Sequence, residues 1–358
     1  MATTFKTFLT NDVVSTRTML HEAIPMTGTI ASGTYTNKAG TEYNVKNYSH
    51  GMFQSVYDYP YLSSSANHIY DIAVGYSANS ALSGAASIQN SKKINIYNQM
   101  AQVLMGHSAS GEILRFDQDG DLLSGGTKLD ECVFFNFSRL LSKDEIKKGS
   151  FSATFLTGGT QAAPFGALTI TDSDATNDFR INSPAGEYGI LKDGSSNKLG
   201  LLFYQAGVAV VTASVFTSLS SLALIARQRV LSYGIGAPGA TYDTSSMESL
   251  LTGSHITASC DAIRNRLQSV SFNNTTELNS TIYFCRVNHN DYNYTSNPTY
   301  LSGSKIRVKN STTDSPVSYI TTVGLYSADN ELLAVAKLSE PLKKDPTTEF
   351  TLRVRLDY

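Results

Sequence analysis

Tryptophan is absent from this chain of 358 residues, and cysteine (3), histidine (6) and proline (9) are sparse. Charge is sparse as well. Lys and Arg number 28 against 30 Asp and Glu, a formal net charge of −2, and charged residues make up 16% of the chain, where soluble domains usually carry about 25%. Each shortage excludes something. Cys132, Cys260 and Cys285 are far apart and form no C-x-x-C, so neither a zinc knuckle nor a dithiol redox motif is written in the sequence. Their odd number fits buried free thiols in a reducing compartment. The thin, balanced charge leaves no basic footprint for nucleic acid. No stretch reaches the ~20 mostly apolar residues of a membrane helix. The first two dozen residues carry a single lysine before a broken apolar pattern, so no secretory signal is expected. Expression and assembly in a cytoplasm follow as expectations, with neither membrane nor nucleic acid as partner.

Catalytic constellations are missing too. His21, His50, His68, His107, His255 and His289 form no H-E-x-x-H, and no two stand at i, i+4. There is no G-x-S-x-G elbow and no phosphate-binding loop. Gly125-Gly126 and Gly158-Gly159 read as turn glycines. The best candidate for a cation is the run Asp117-Gln118-Asp119-Gly120-Asp121, because alternate carboxylates can converge on one ion. Gly120 falls early for a calcium loop, two places before the position that glycine takes there, and no Glu closes it at the twelfth position, so a solvated turn is the preferred reading. No catalytic, cofactor-binding or metal-ligating residue is therefore assigned, no cofactor is expected, and the chain is not expected to be an enzyme.

What fills the gap is Ser, Thr, Asn, Gly and 20 tyrosines. Two tyrosine-rich pieces, Tyr57-Asp58-Tyr59-Pro60-Tyr61 and Tyr292-Asn293-Tyr294, suit a surface that stacks and hydrogen-bonds. A subunit interface is favoured over a carbohydrate site, since tyrosine is enriched at interfaces.

The most apolar run, Leu199–Phe216, divides into Leu201–Tyr204 and Val208–Val211 around Gln205-Ala206-Gly207. It reads as a buried strand pair, the spine of a central sheet. Around it the pattern predicts a helix over Val13–Ile24 stopped by Pro25, and a short hairpin at Gly28, Gly33 and Gly40. A strand is expected over Asn67–Tyr76, a helix over Lys92–Met105 ended by Gly106, and a strand over Cys132–Phe137. Ser142 and Glu145 fit a capping box for a short helix that opens there or near Ser138 and closes at Gly149. Ser245–Leu251 and Ala258–Val270 read as helical. Strands are expected over Thr281–Val287, Tyr319–Tyr326, Glu331–Leu338 and Phe350–Leu356, with Asp329-Asn330 as a hairpin turn. The fold class is α+β and strand-rich: antiparallel sheets with a few short helices. Three regions are expected: 1–150, α+β; 151–235, β-rich; and 236–358, a helical segment plus a β-meander. A hinge is expected at Gly234, Gly236, Pro238 and Gly239.

The chain end carries Tyr292–Tyr300, then Ile320-Thr321-Thr322-Val323-Gly324-Leu325-Tyr326. Glu331-Leu332-Leu333-Ala334-Val335-Ala336-Lys337-Leu338 follows, with Arg353–Tyr358 closing the chain. This resembles the C-terminal part of virion structural proteins of large contractile-tailed bacteriophages, especially the marine T4-like group. Asp12–Ile24, Gly51–His68, Asn95–Gly106 and Asn182–Gly189 look similar as well. The resemblance implies a structural subunit of a virion, in the tail or baseplate, partnered by other virion subunits and by copies of itself. It implies assembly in the host cytoplasm and no catalytic residues. Alternatives are a neck or capsid-associated protein at the head–tail junction, and a receptor-binding adhesin for host surface glycans. A virion-bound hydrolase would have only Asp117–Asp121 to work with.

Overall fold

A computed structural model of the chain describes residues 6–36, 43–63, 65–84, 86–122, 125–159, 164–216, 247–293, 301–302, 305–306 and 317–358. In chain order the elements are β1 (Val13–Thr27), α1 (Gly28–Ala31), β2 (Val45–Asn47), β3 (Gln54–Tyr57), β4 (His68–Tyr76), α2 (Asn90–Leu104), β5 (Glu131–Phe137), α3 (Arg139–Ser142) and β6 (Glu145–Ile146). Then come β7 (Ser152–Gly159), β8 (Pro164–Thr171), β9 (Phe179–Ser183), β10 (Gly186–Lys192), β11 (Lys198–Phe203) and β12 (Val208–Thr212). The rest are α4 (Met247–Gly253), α5 (Ile256–Arg264), β13 (Leu267–Val287), β14 (Leu301–Ser302), β15 (Lys305–Ile306), β16 (Ser318–Tyr326), β17 (Leu332–Lys344) and β18 (Phe350–Asp357). The fold is α+β and strand-rich, with antiparallel sheets and few, mostly short helices.

Two compact units divide the chain, one of residues 20–276 and one of residues 1–19 with 277–358. These divisions fall elsewhere than 150 and 235. Residue 150 lies between β6 and β7, which both pair with β13, so it sits inside one unit. The expected boundary and its hinge glycines lie outside the described residues.

In the larger unit the strand order is β13-β7-β8-β10-β11-β12-β5-β4-β3-β2, with β6 on β13 and β9 on β10. The expected spine is there. β11 and β12 form a hairpin from Gly200↔Val211 to Phe203↔Val208, turned by Gly207 at φ 67°. All of β12 is buried, as a continuous valine-rich run should be when both sheet faces are covered. β12 continues onto β5, and β5 onto β4, in unbroken antiparallel registers. α2 packs on β4 at Gly75, where an added Cβ would lie 2.7 Å from the Lys93 carbonyl oxygen and 2.9 Å from the Tyr97 nitrogen. Helix backbone thus rests directly on strand. An aromatic chain fills the core nearby: Tyr97, Phe134 and Phe203 each touch Phe116, with ring centroids 5.4–6.4 Å apart, and Tyr188 stacks on Phe203 at 4.9 Å.

Four local expectations are corrected. Val13–Ile24 is strand, not helix. Its β-branched Val13, Val14, Thr16 and Thr18 favour a pleated backbone, and β13 supplies the partners: Ser15 Oγ meets Thr281 Oγ1 at 3.2 Å, and the Glu22 N–H donates to Asn274 Oδ1 at 3.1 Å. β13 is the one strand paired with β1 among the described residues, so Pro25 lies in an edge strand, where its missing N–H costs little. The helix opens after Ser138, the alternative start, and Ser142 ends α3 instead of opening it. Lys143 at φ 55° then swings the chain into β6, which finds Asn274 and Thr275 of β13. The helix expected over Ala258–Val270 closes at Arg264, and Leu267 begins β13. Gly28 opens a single helical turn and not a strand; an antiparallel Thr36↔Tyr43 bridge follows, and the residues between its two ends, Gly40 among them, lie outside the described residues.

In the smaller unit the later part of β13 pairs with β18 at eight positions, from Ser280↔Asp357 to Val287↔Phe350. The expected alternation holds: Leu352, Val354 and Leu356 turn inward while Arg353, Arg355 and Asp357 are exposed. β16 and β17 form a hairpin through Ser327–Glu331, with Asn330 at φ 64°, the left-handed conformation that Asn tolerates best after Gly. β14 and β15 form a second, short pair.

Candidate interaction surface

Among the described residues no three His, Cys, Asp or Glu side chains gather to hold a metal ion. The six histidines are scattered. His21 sits beside the Asn274 carbonyl and the Thr275 hydroxyl, and His289 bonds Glu349 at 3.0 Å. His255 precedes α5 as its N-cap residue, and the backbone of His107 bridges to Ile113.

Asp117, Asp119 and Asp121 do not converge on an ion. The Asp117 carboxylate is buried, where a solvated turn was expected. It accepts the Leu122 N–H at 2.9 Å and the Asp119 N–H at 3.4 Å, and pairs with Lys128 at 3.0 Å. Burial alone would raise its pKa. The Lys128 ammonium and the Asp119 N–H outweigh that and hold it below the usual carboxylate range. Asp119 turns away to pair with Lys198. The run is thus a structural turn, built around Asp117.

Polar and aromatic groups do meet at the β2–β3–β4 end of the larger unit. The Ser55 hydroxyl donates to Asp71, and the His68 ring lies 2.8 Å from the same oxygen. Tyr48 and Ser55 share a hydrogen bond of 3.1 Å. A Ser, a His and an Asp are together, but the hydroxyl is on the carboxylate and not on the imidazole, so the ring cannot take its proton as a nucleophile's base must. Around this knot stand the rings. Tyr57 packs edge-on to His68 at 5.5 Å and near Tyr61 at 6.3 Å, while Tyr59 pairs with Tyr35 at 5.7 Å. His50 stacks on Tyr48 at 5.2 Å, with Phe53 against both. Tyr59 and Leu62 are exposed. The first tyrosine-rich piece is thus a partly exposed aromatic ridge at the end of β3 and in its connection to β4. The second is half described: Tyr292 is exposed, the Asn293 amide donates to the His289 carbonyl, and Tyr294 lies outside the described residues.

The second exposed surface is in the smaller unit. Tyr319 and Tyr326 on β16, and Leu332, Leu333 and Val335 on β17, are all exposed. Tyr326 lies over Gly324, whose added Cβ would come within 2.9 Å of its ring, a cover of aromatic on glycine. The hairpin is anchored by Lys344, whose buried ammonium donates to the His289 and Asp345 carbonyls and to Asn293 Oδ1 at 2.8–2.9 Å.

Three more buried polar anchors carry no sequence signature. Lys93 in α2 donates to the carbonyls of Ile88, Leu251 and Ser254, tying α2 to the end of α4. Burial lowers its pKa to about 8. Asp172 accepts the Gly149 and Phe151 N–H groups, each at 2.8 Å, and the Tyr204 hydroxyl at 3.0 Å. Burial pushes its pKa up, against those hydrogen bonds. Asp261 and Arg264 of α5 form an ion pair that also holds Gln54 of β3 and the Ser32 and Gly33 carbonyls. Every such residue sits in an ordinary amphipathic or turn pattern, which is why none stands out in the sequence.

The chain matches no protein-family profile, no curated protein and no solved structure. No helix among the described residues is long and apolar enough to cross a membrane.

Proposed function

We propose that this chain is a structural subunit of a bacteriophage virion, in the tail or baseplate, acting through contacts with copies of itself and with neighbouring subunits. The observation that carries the reading is the β16–β17 hairpin. Among the described residues it pairs two strands only, and its exposed Tyr319, Tyr326, Leu332, Leu333 and Val335 put large apolar side chains in water. A lone two-stranded hairpin is marginal in water, and a cluster of exposed apolar side chains marks an association surface. The resemblance of the same segment, Ile320–Tyr326 with Glu331–Leu338, to tailed-phage structural proteins points the same way. Repetition of one interface around an axis lets a modest pairwise energy build a closed ring.

Native mass spectrometry and negative-stain electron microscopy of the purified chain test this. A closed assembly of three-fold or six-fold symmetry is expected, and the Leu333→Lys, Val335→Lys double variant is expected to return monomers with an unchanged circular dichroism spectrum. A chain that stays monomeric with and without the substitutions overturns the self-assembly part of the reading.

The aromatic ridge favours a second reading, a receptor-binding adhesin. Tyr57, Tyr59 and Tyr61, beside the acceptors Asp58 and Asp71, offer the stacking faces and directional bonds that sugars use. Binding of the full chain to a glycan array, lost on Tyr59→Ala, would move the assignment there.

A further inference from the structure

Thr257, Asp261 and Asn265 stand at i, i+4 and i+8, on one face of α5 and its C-cap. Each holds a buried oxygen without a hydrogen-bond partner: Thr257 Oγ1, Asp261 Oδ2 and Asn265 Oδ1. Thr257 and Asp261 are each 1% exposed. Native structures leave few such groups unmade, because an orphaned buried acceptor costs about 1–3 kcal/mol. Three in a row on one helix face call for a shared explanation.

We infer that this face of α5 binds a file of internal waters, one bridging Thr257 and Asp261 and one bridging Asp261 and Asn265. Residues four apart on a helix have Cβ atoms about 5–6 Å from each other, a gap that one oxygen spans with two hydrogen bonds. Each of the three oxygens then gains a partner. The first water accepts the Thr257 hydroxyl proton and donates to Asp261 Oδ2. The second donates one proton to Asp261 Oδ2 and the other to Asn265 Oδ1. A polar site with two or more partners per molecule is what a buried water requires. A cation fits worse on two grounds. Thr257 and Asn265 are about 12 Å apart along the axis at 1.5 Å per residue, so they cannot ligate one ion at the 2.3–2.6 Å of hard-cation contacts. The Asp261 charge is also already matched by Arg264, which pairs with its other oxygen.

Two measurements on the full chain test the file. In the deuterated protein, resident waters give cross-relaxation between the solvent resonance and the α5 backbone amides near Asp261; its absence overturns the inference. Thr257→Val keeps the side-chain shape and the β-branch while removing the hydroxyl. If the first water is there, the variant strands it and the melting temperature falls by about 2 °C or more. If the face is dry, the variant removes an unpaired polar group and the melting temperature rises or stays unchanged, which also overturns it.

Discussion

Asp172 gathers two backbone N–H groups and a tyrosine hydroxyl on one carboxylate, so it joins the turn before β7 to β11's end. Asp172→Ala strands all three donors and is expected to cost about 3 kcal/mol or more, at 1–3 kcal/mol for each orphaned group. Tyr204→Phe removes one hydrogen bond and is expected to cost about 1 kcal/mol. Urea titration of the two variants checks the ratio. Lys93 gives a pH dependence whose sign is fixed. Its pKa is about 8 in the folded chain against an ordinary 10.5. Between these values the unfolded lysine still holds a proton that the folded one has released, so rising pH favours the folded state. The stability difference between the wild type and Lys93→Met is therefore expected to shift toward the wild type from about pH 7.5 to about pH 10. Buried Tyr70, whose pKa burial raises, pushes the other way in both proteins and cancels in the difference; Cys260 interacts electrostatically with Lys93 and does not cancel, so the cleanest part of the comparison lies below about pH 8.5, where an ordinary thiol keeps its proton.

At the scale of elements, the β4–α2 contact depends on a missing side chain. Gly75→Ala places a Cβ 2.7 Å from one backbone atom of α2 and 2.9 Å from another. Backbone of a packed helix cannot step aside as a side-chain tip can, so the substitution is expected to cost about 1–3 kcal/mol as overpacking. A drop in the denaturation midpoint without a change in slope would confirm it. The elements most legible from sequence were those with strong local signals: the β11–β12 hairpin, α2, β4, β5 and the alternating β18. β1 was not legible as strand. Its leucine and isoleucine spacing imitates a helix, and β13, some 250 residues away, supplies the hydrogen bonds that decide the matter. The same holds for Ser142 and Glu145, whose capping-box spacing lost to the pairing of β6 with β13.

At the scale of the whole molecule, the two compact units are divided within two long strands, β1 and β13, and no composition shift marks either place. Removing Phe350–Tyr358 deprives β13 of eight paired positions. If the smaller unit carries the assembly contacts, this truncation is expected to abolish the closed assemblies seen by native mass spectrometry while the full-length chain retains them. Intact assemblies after truncation would count against a role for β18 in association.

Periodicity alone determined the strand-rich class of this chain and its central valine-rich hairpin, because both are properties of neighbouring residues. Only the tertiary structure decided the rest. It placed β1 on β13, buried Asp117 instead of leaving it in solvent, and brought Ser55, His68 and Asp71 together without catalytic geometry. It also set Lys93, Asp172 and Asp261 as internal anchors. Each of those outcomes rests on partners distant in sequence, and the energy of a buried polar group depends on the partner it finds.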